Sequence, residues 1–222
     1  MQAYRSFLLS IILVKKYPLS SKQNISYVFP KKFFSAALIT GFSSIAFLTI
    51  DVLLAKHFLP PTEAGQYALL SLIGKMIYFL GMLPNIFMIS FISNDEGTNK
   101  DPKKSFYKLL IPTTLLSFIA FISLGIFGTS FVPLLFGEKA KVILNYLPLY
   151  TGAITLFVIV SSIVNYHLAR RQYLFPILSL ALALLMGLGI ALFHETILQI
   201  TTIIYPVLLY LQQVQYLKNR VI

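Results

Sequence analysis

The sequence predicts an all-α fold, a polytopic membrane bundle of six transmembrane helices. Three observations predict it. Hydrophobic residues make up 57% of the 222 positions and charged residues only 11%, whereas soluble domains average about 45–50% apolar and about a quarter charged. Six stretches are apolar over roughly the 20 residues that a helix rising 1.5 Å per residue needs to cross the hydrocarbon layer. The basic residues, finally, gather in alternate connections between those stretches. Eighteen Lys and Arg with seven Asp and Glu are a sparse coat for an aqueous surface, and the mean hydropathy is +0.80.

Residues 1–32 precede the first long apolar stretch. The run Phe7 to Val14 follows Arg5 in the manner of a signal peptide, but Lys15 and Lys16 stand where a small-residue cleavage site would be needed. The run is too short to span alone, so it reads as an interfacial helix or the tail of a longer one. Spans are then predicted over Phe33 to Leu54, Ala64 to Ile92, Phe106 to Phe127, Val142 to Leu168, Tyr173 to Phe193 and Thr196 to Leu217. Residues 33–217 thus form the six-helix unit, and 218–222 a short tail.

Turn chemistry separates the spans. Pro60-Pro61-Thr62-Glu63 stops one helix and starts the next, with Thr62 as N-cap and Glu63 in the first turn. Ser93 to Lys104 is polar, contains Gly97 and Pro102, and reads as a loop. Arg170-Arg171 and His194-Glu195 are links short enough to force antiparallel neighbours.

The charge pattern sets an orientation. If Lys15 to Lys32 is cytoplasmic, the cytoplasmic segments carry thirteen basic residues, Lys15, Lys16, Lys22, Lys31, Lys32, Lys100, Lys103, Lys104, Lys108, Arg170, Arg171, Lys218 and Arg220. The opposite side carries three, Lys56, Lys139 and Lys141. This is the positive-inside asymmetry expected of a multi-pass protein of the plasma (inner) membrane, with both ends of the six-helix unit cytoplasmic. It also accounts for the net charge of +11 without nucleic acid, since no basic stripe is interleaved with aromatics. The absence of cysteine excludes disulfides, thiolate zinc sites and a Cys nucleophile.

Asp51 and Lys75 are the ionisable residues best placed within apolar runs, and they are the candidate substrate or ion-cavity residues. A charge at mid-bilayer costs about 2.5–3.5 kcal/mol on insertion scales and usually faces a bundle interior or wet cavity. Helix counting from the Pro60 turn brings the two within reach of one another, as a buried or cavity-lining pair. The bland alternatives are an interfacial Asp51 and a snorkelling Lys75. Pro84, Pro112, Pro148, Pro176 and Pro206 fall inside predicted spans and can kink them, although ordinary membrane helices also carry proline.

Other constellations carry no chemistry. Asp95, Glu96 and Asp101 lack calcium-loop spacing and read as a solvated loop. His57, His167 and His194 sit at span ends without metal-ligand spacing, and no phosphate-loop, dinucleotide or nucleophile-elbow motif occurs. No catalytic residue, metal or cofactor is expected, and the chain does not read as an enzyme. Tyr67, Tyr78, Tyr146, Tyr150 and Tyr166 are candidates to line a sugar path, but most of them read as interface-belt or packing residues.

Asp51-Val-Leu-Leu-Ala-Lys-His-Phe-Leu59, Glu63-Ala-Gly-Gln-Tyr67, Gly74-Lys75, Leu134-Leu-Phe-Gly-Glu138 and Tyr166-His-Leu-Ala-Arg-Arg171 occur in this order. Together they resemble the C-terminal half of the polysaccharide-biosynthesis (O-antigen-type) flippases of the multidrug/oligosaccharidyl-lipid/polysaccharide exporter superfamily. The resemblance runs from about Phe33 to the end. It implies one six-helix lobe of a two-lobe transporter that moves lipid-linked oligosaccharide of the polyprenyl-diphosphate type by alternating access. Phe7 to Val14 would then be a remnant of a preceding helix and Lys15 to Lys32 an inter-lobe linker. The first lobe would be lost from a gene fragment, carried on a separate chain, or replaced by a second copy. Alternatives are a membrane-embedded glycosyltransferase or sugar polymerase, for which the short lysine-rich loops offer few carboxylates, and a non-functional truncated lobe.

Overall fold

The computed structural model describes residues 30–206, apart from the side chains of Glu138 and Lys139. The expected remnant at Phe7 to Val14, most of the linker and the tail lie outside the described residues. Within them every regular element is helical. Helix α1 is Lys31–Phe58, α2 Pro61–Met82, α3 Met88–Gly97, α4 Pro102–Ala120, α5 Gly128–Phe136, α6 Leu147–Ala169 and α7 Leu174–Leu192. A further helix, α8, is described over Ile197–Pro206. Tight 3₁₀ turns at Pro84–Phe87 and Glu138–Ile143 precede α3 and α6, and α4 runs on into a π-helical turn, Phe121–Ile126.

Four helices are long and apolar enough to cross a membrane: α1, α4 with its π turn, α6 and α7. The predicted second span is not one rod. It breaks into α2 and α3 at Pro84, bent by 46°, and counts as a fifth crossing only if the pair is taken together. Proline cannot donate to the preceding turn, which ends α2 there. The sixth predicted span, Thr196 to Leu217, is described only as far as Pro206.

Several boundaries differ from the sequence reading. Helix α1 begins at Lys31, so Lys31 and Lys32 belong to it rather than to a linker. Thr62 is not the N-cap. Pro60 holds that position without a side-chain bond, because Pro61 suits the first helical residue, where no N–H partner is needed. The stretch predicted as a loop over Ser93 to Lys104 is helical as far as Gly97. It resumes at Pro102 under an Asp101 cap, whose carboxylate accepts from the Lys103 N–H at 3.0 Å. Leu134-Leu-Phe-Gly-Glu138 is the end of α5, with the turn confined to Gly137 at φ 79°. Pro148 and Pro176 lie in first helical turns rather than inside helices, so only Pro112 and Pro133 interrupt a helix interior among the described residues.

Helix α6 is the axis of the bundle. Its most apolar window is 67% buried, against 28% for α1, 22% for α4 and 39% for α7. Helices α2, α3 and α4 pack on it, as does α1, which pairs with α7 and also touches α2. Two glycines seven residues apart bring α2 close. A Cβ on Gly74 would run into Tyr150 and Ile154, and one on Gly81 into Ser117 and Val158.

The outward faces of the bundle are apolar, and several small polar residues are buried between its helices. The buried stripe of α1 includes Ala36, Thr40, Ser43, Asp51 and Ala55, and that of α4 is Thr113, Ser117 and Ala120. The outward faces carry Phe34, Leu38, Phe42, Ile45 and Leu53 on α1, and Ile111, Leu115, Phe118 and Ile119 on α4. Inward hydroxyls bond back to carbonyls four residues earlier, as in Thr40 to Ala36 at 2.9 Å, Ser117 to Thr113 at 2.7 Å and Thr151 to Leu147 at 2.6 Å. Small, self-satisfied polar residues at helix contacts with large aliphatics outside suit a bundle whose solvent is lipid.

Candidate functional site

Three helices converge on Asp51. The inward stripe of α1 steps through 40, 43, 47, 51 and 55, a helical period that carries position 51 to the centre of the bundle. The residue is 1% exposed. Its Oδ2 accepts from the Tyr67 hydroxyl of α2 at 3.0 Å and from the Tyr150 hydroxyl of α6 at 2.7 Å. Its Oδ1 accepts from the Val52 N–H at 2.7 Å. A carboxylate only accepts, and three donors meet it here. The two tyrosine rings lie edge to face, their centroids 5.8 Å apart. Gly74 makes the arrangement geometrically possible, since the Tyr150 ring occupies the space that a side chain there would fill.

Lys75 is not joined to Asp51. Among the described residues no ion pair joins the two. Successive helix residues point about 100° apart. Gly74 faces α6, so Lys75 is turned toward the edge of the packed face, half-buried, among the outward Leu72, Met76 and Phe79. The direct pair suggested by helix counting is therefore replaced by two tyrosines on the carboxylate and a lysine on the rim. Of the five tyrosines singled out, Tyr67 and Tyr150 are buried ligands of the carboxylate. Tyr78 stacks on Phe157, which stacks on Phe47, with centroids 5.5 and 4.0 Å apart.

Phe47 and Phe157 of that stack also line a crevice of about 20 Å³, together with Thr40, Ser43, Ser44, Ser161 and Ser179 and the apolar Val160, Val164 and Leu182. At the lysine-rich end, Arg170 Nε donates to Glu96 at 3.1 Å, and the guanidinium Cζ lies 5.7 Å from the Tyr166 ring centre. Partial burial works against the guanidinium there, but Glu96 and Tyr166 more than offset it and hold its pKa above the ordinary value. Asp95 is buried. Asp95 and Glu96 are therefore parts of a helix end rather than of a solvated loop. His194 stacks on Phe58, and the His167 Nδ1 pairs with Gln172 Oε1 at 2.6 Å. Among the described residues no three His, Asp or Glu side chains converge as metal ligands.

The tyrosines of the Asp51 node could not be found by spacing, because they lie 16 and 99 residues away in the chain. Comparisons with protein-family models, with curated proteins and with solved structures gave no match.

Proposed function

We propose that the chain is one six-helix lobe of a membrane flippase for lipid-linked oligosaccharides of the polyprenyl-diphosphate type. It would sit in the bacterial plasma membrane with the lysine-rich end cytoplasmic, and act together with a second lobe. The observation that carries this reading is Lys75. It lies about 21 Å along α2 from Pro61, without an ion-pair partner among the described residues, on the rim of an otherwise apolar face. A cation at that depth is costly against lipid and useful against an anionic diphosphate in a wet cavity. A second lobe closing over that face would create such a cavity. Asp51 would then act from behind the wall, tying α1, α2 and α6 into a unit that moves together.

The resemblance carried by Asp51 to Leu59, Glu63 to Tyr67 and Gly74-Lys75 supports the sugar-lipid assignment. The test is flipping of a fluorescent polyprenyl-diphosphate glycan in liposomes holding both lobes. Lys75→Ala should lower the rate at least ten-fold and Lys75→Arg should retain most of it. Equal rates in both variants, or full activity of the single lobe, would remove the proposal.

A further inference from the structure

The break between α2 and α3 has a polar lining that the proposed transport role leaves unused. Asn85 is 2% exposed and Thr113, on α4, is fully buried. The Asn85 amide donates through Nδ2 to the Met82 sulfur at 3.1 Å, while its Oδ1 has no hydrogen-bond partner. The Thr113 hydroxyl has none either. Ser71 Oγ shares this lack, whereas Thr40, Ser43, Ser117, Thr151, Thr155, Ser162 and Thr201 all bond back to their own helices.

The 3₁₀ turn that carries Asn85 packs on α4, and helix register from the Gly81–Ser117 contact sets the two lone groups at one level of an antiparallel pair. Gly81 of α2 faces Ser117 of α4. One turn onward from Gly81 is Asn85, and one turn back from Ser117 is Thr113. The next level continues the register, with Met88, Ile89 and Ile92 packed in one cluster with Phe106 and Leu109. Proline stands beside both groups, Pro84 on one side and Pro112 on the other. The site therefore offers the Asn85 Oδ1 as an acceptor and the Thr113 hydroxyl, which can donate or accept. Buried water binds where two to four such partners converge.

We propose that a water molecule binds at the break, bridging Asn85 Oδ1 and Thr113 Oγ1. It makes this level a hydrated seat on which α3 can change its angle to α2. A bridge of this kind couples its two ends, since losing either partner strands the other.

The test is a double-mutant cycle on thermal midpoint in detergent micelles, combined with X-ray hydroxyl-radical labelling of Met82, whose sulfur accepts from Asn85, and of Met88, which opens α3 just past the break. Thr113→Val should lower the midpoint by several degrees and Thr113→Ser should restore it. Asn85→Leu combined with Thr113→Val should cost no more than either change alone. Labelling of the two methionines should fall at least two-fold in the double variant and stay unchanged in Thr113→Ser. Additive losses, or a Thr113→Val midpoint at or above that of the parent, would overturn the proposal. Non-additive losses with unchanged methionine labelling would replace the water with a direct Asn85–Thr113 bond and overturn it equally.

Discussion

A carboxylate inside an apolar bundle is tolerated when its lone pairs are met, and Asp51 meets that condition with two phenols and a backbone N–H. The shorter bond, from Tyr150 at 2.7 Å against 3.0 Å from Tyr67, is the stronger of the two. Tyr150→Phe should therefore cost about 1–2 kcal/mol, above the roughly 0.6 kcal/mol average for interhelical bonds in membrane proteins. Tyr67→Phe should cost less. Unfolding in mixed micelles checks the order, and a larger loss at Tyr67 would contradict it. Asp51 and Lys75 were legible in the sequence as ionisable residues in apolar runs. Their partners were not, because depth along a helix is readable from a count of residues whereas rotation about its axis depends on which face is packed. Gly74 decides that rotation. It gives its face of α2 to the Tyr150 ring and leaves Lys75 at the edge.

At the scale of elements, close approach of α2 to α4 and α6 depends on Gly81, where a Cβ would overlap Ser117 and press on Val158. Gly81→Ala should destabilise the bundle by about 1–3 kcal/mol through overpacking, despite the better helix propensity of alanine. The same unfolding measurement decides it, and a stabilised Gly81→Ala would mean that the helices are not in contact there. The apolar runs marked α1, α4, α6 and α7 in the sequence. Polar helix ends escaped that signal. Ser93 to Gly97 continues α3 beyond its apolar part because Glu96 is held by Arg170 and Asp101 caps the next helix. The bend at Pro84 was legible as a candidate kink, but proline alone did not distinguish it from Pro148 or Pro176, which open helices without bending them. Helix α5 escaped because nine residues are too few for a spanning pattern.

Over the whole molecule, large aliphatic and aromatic side chains fill the core, where several hydroxyls are also buried, and they cover the outward faces as well, with Leu134 81% and Leu192 74% exposed. In water such a surface would associate through contiguous apolar patches; in lipid it is the solvated face. The described connections at 98–101 and 170–173 lie at the basic end, beside Lys100, Lys103, Lys104, Lys108, Arg170 and Arg171, whereas 59–60 and 193–196 lie at the other. This alternation follows directly from helices that reverse at each turn.

The absence of cysteine from the chain allows the membrane topology to be read with single introduced thiols. Asn99→Cys and Thr196→Cys, each expressed in intact cells, should differ in reaction with a membrane-impermeant maleimide. Thr196→Cys should label from outside, and Asn99→Cys only after the membrane is opened. Equal labelling of both in intact cells, or recovery of the chain in the aqueous fraction without detergent, would contradict a multi-pass bundle with its lysine-bearing end in the cytoplasm.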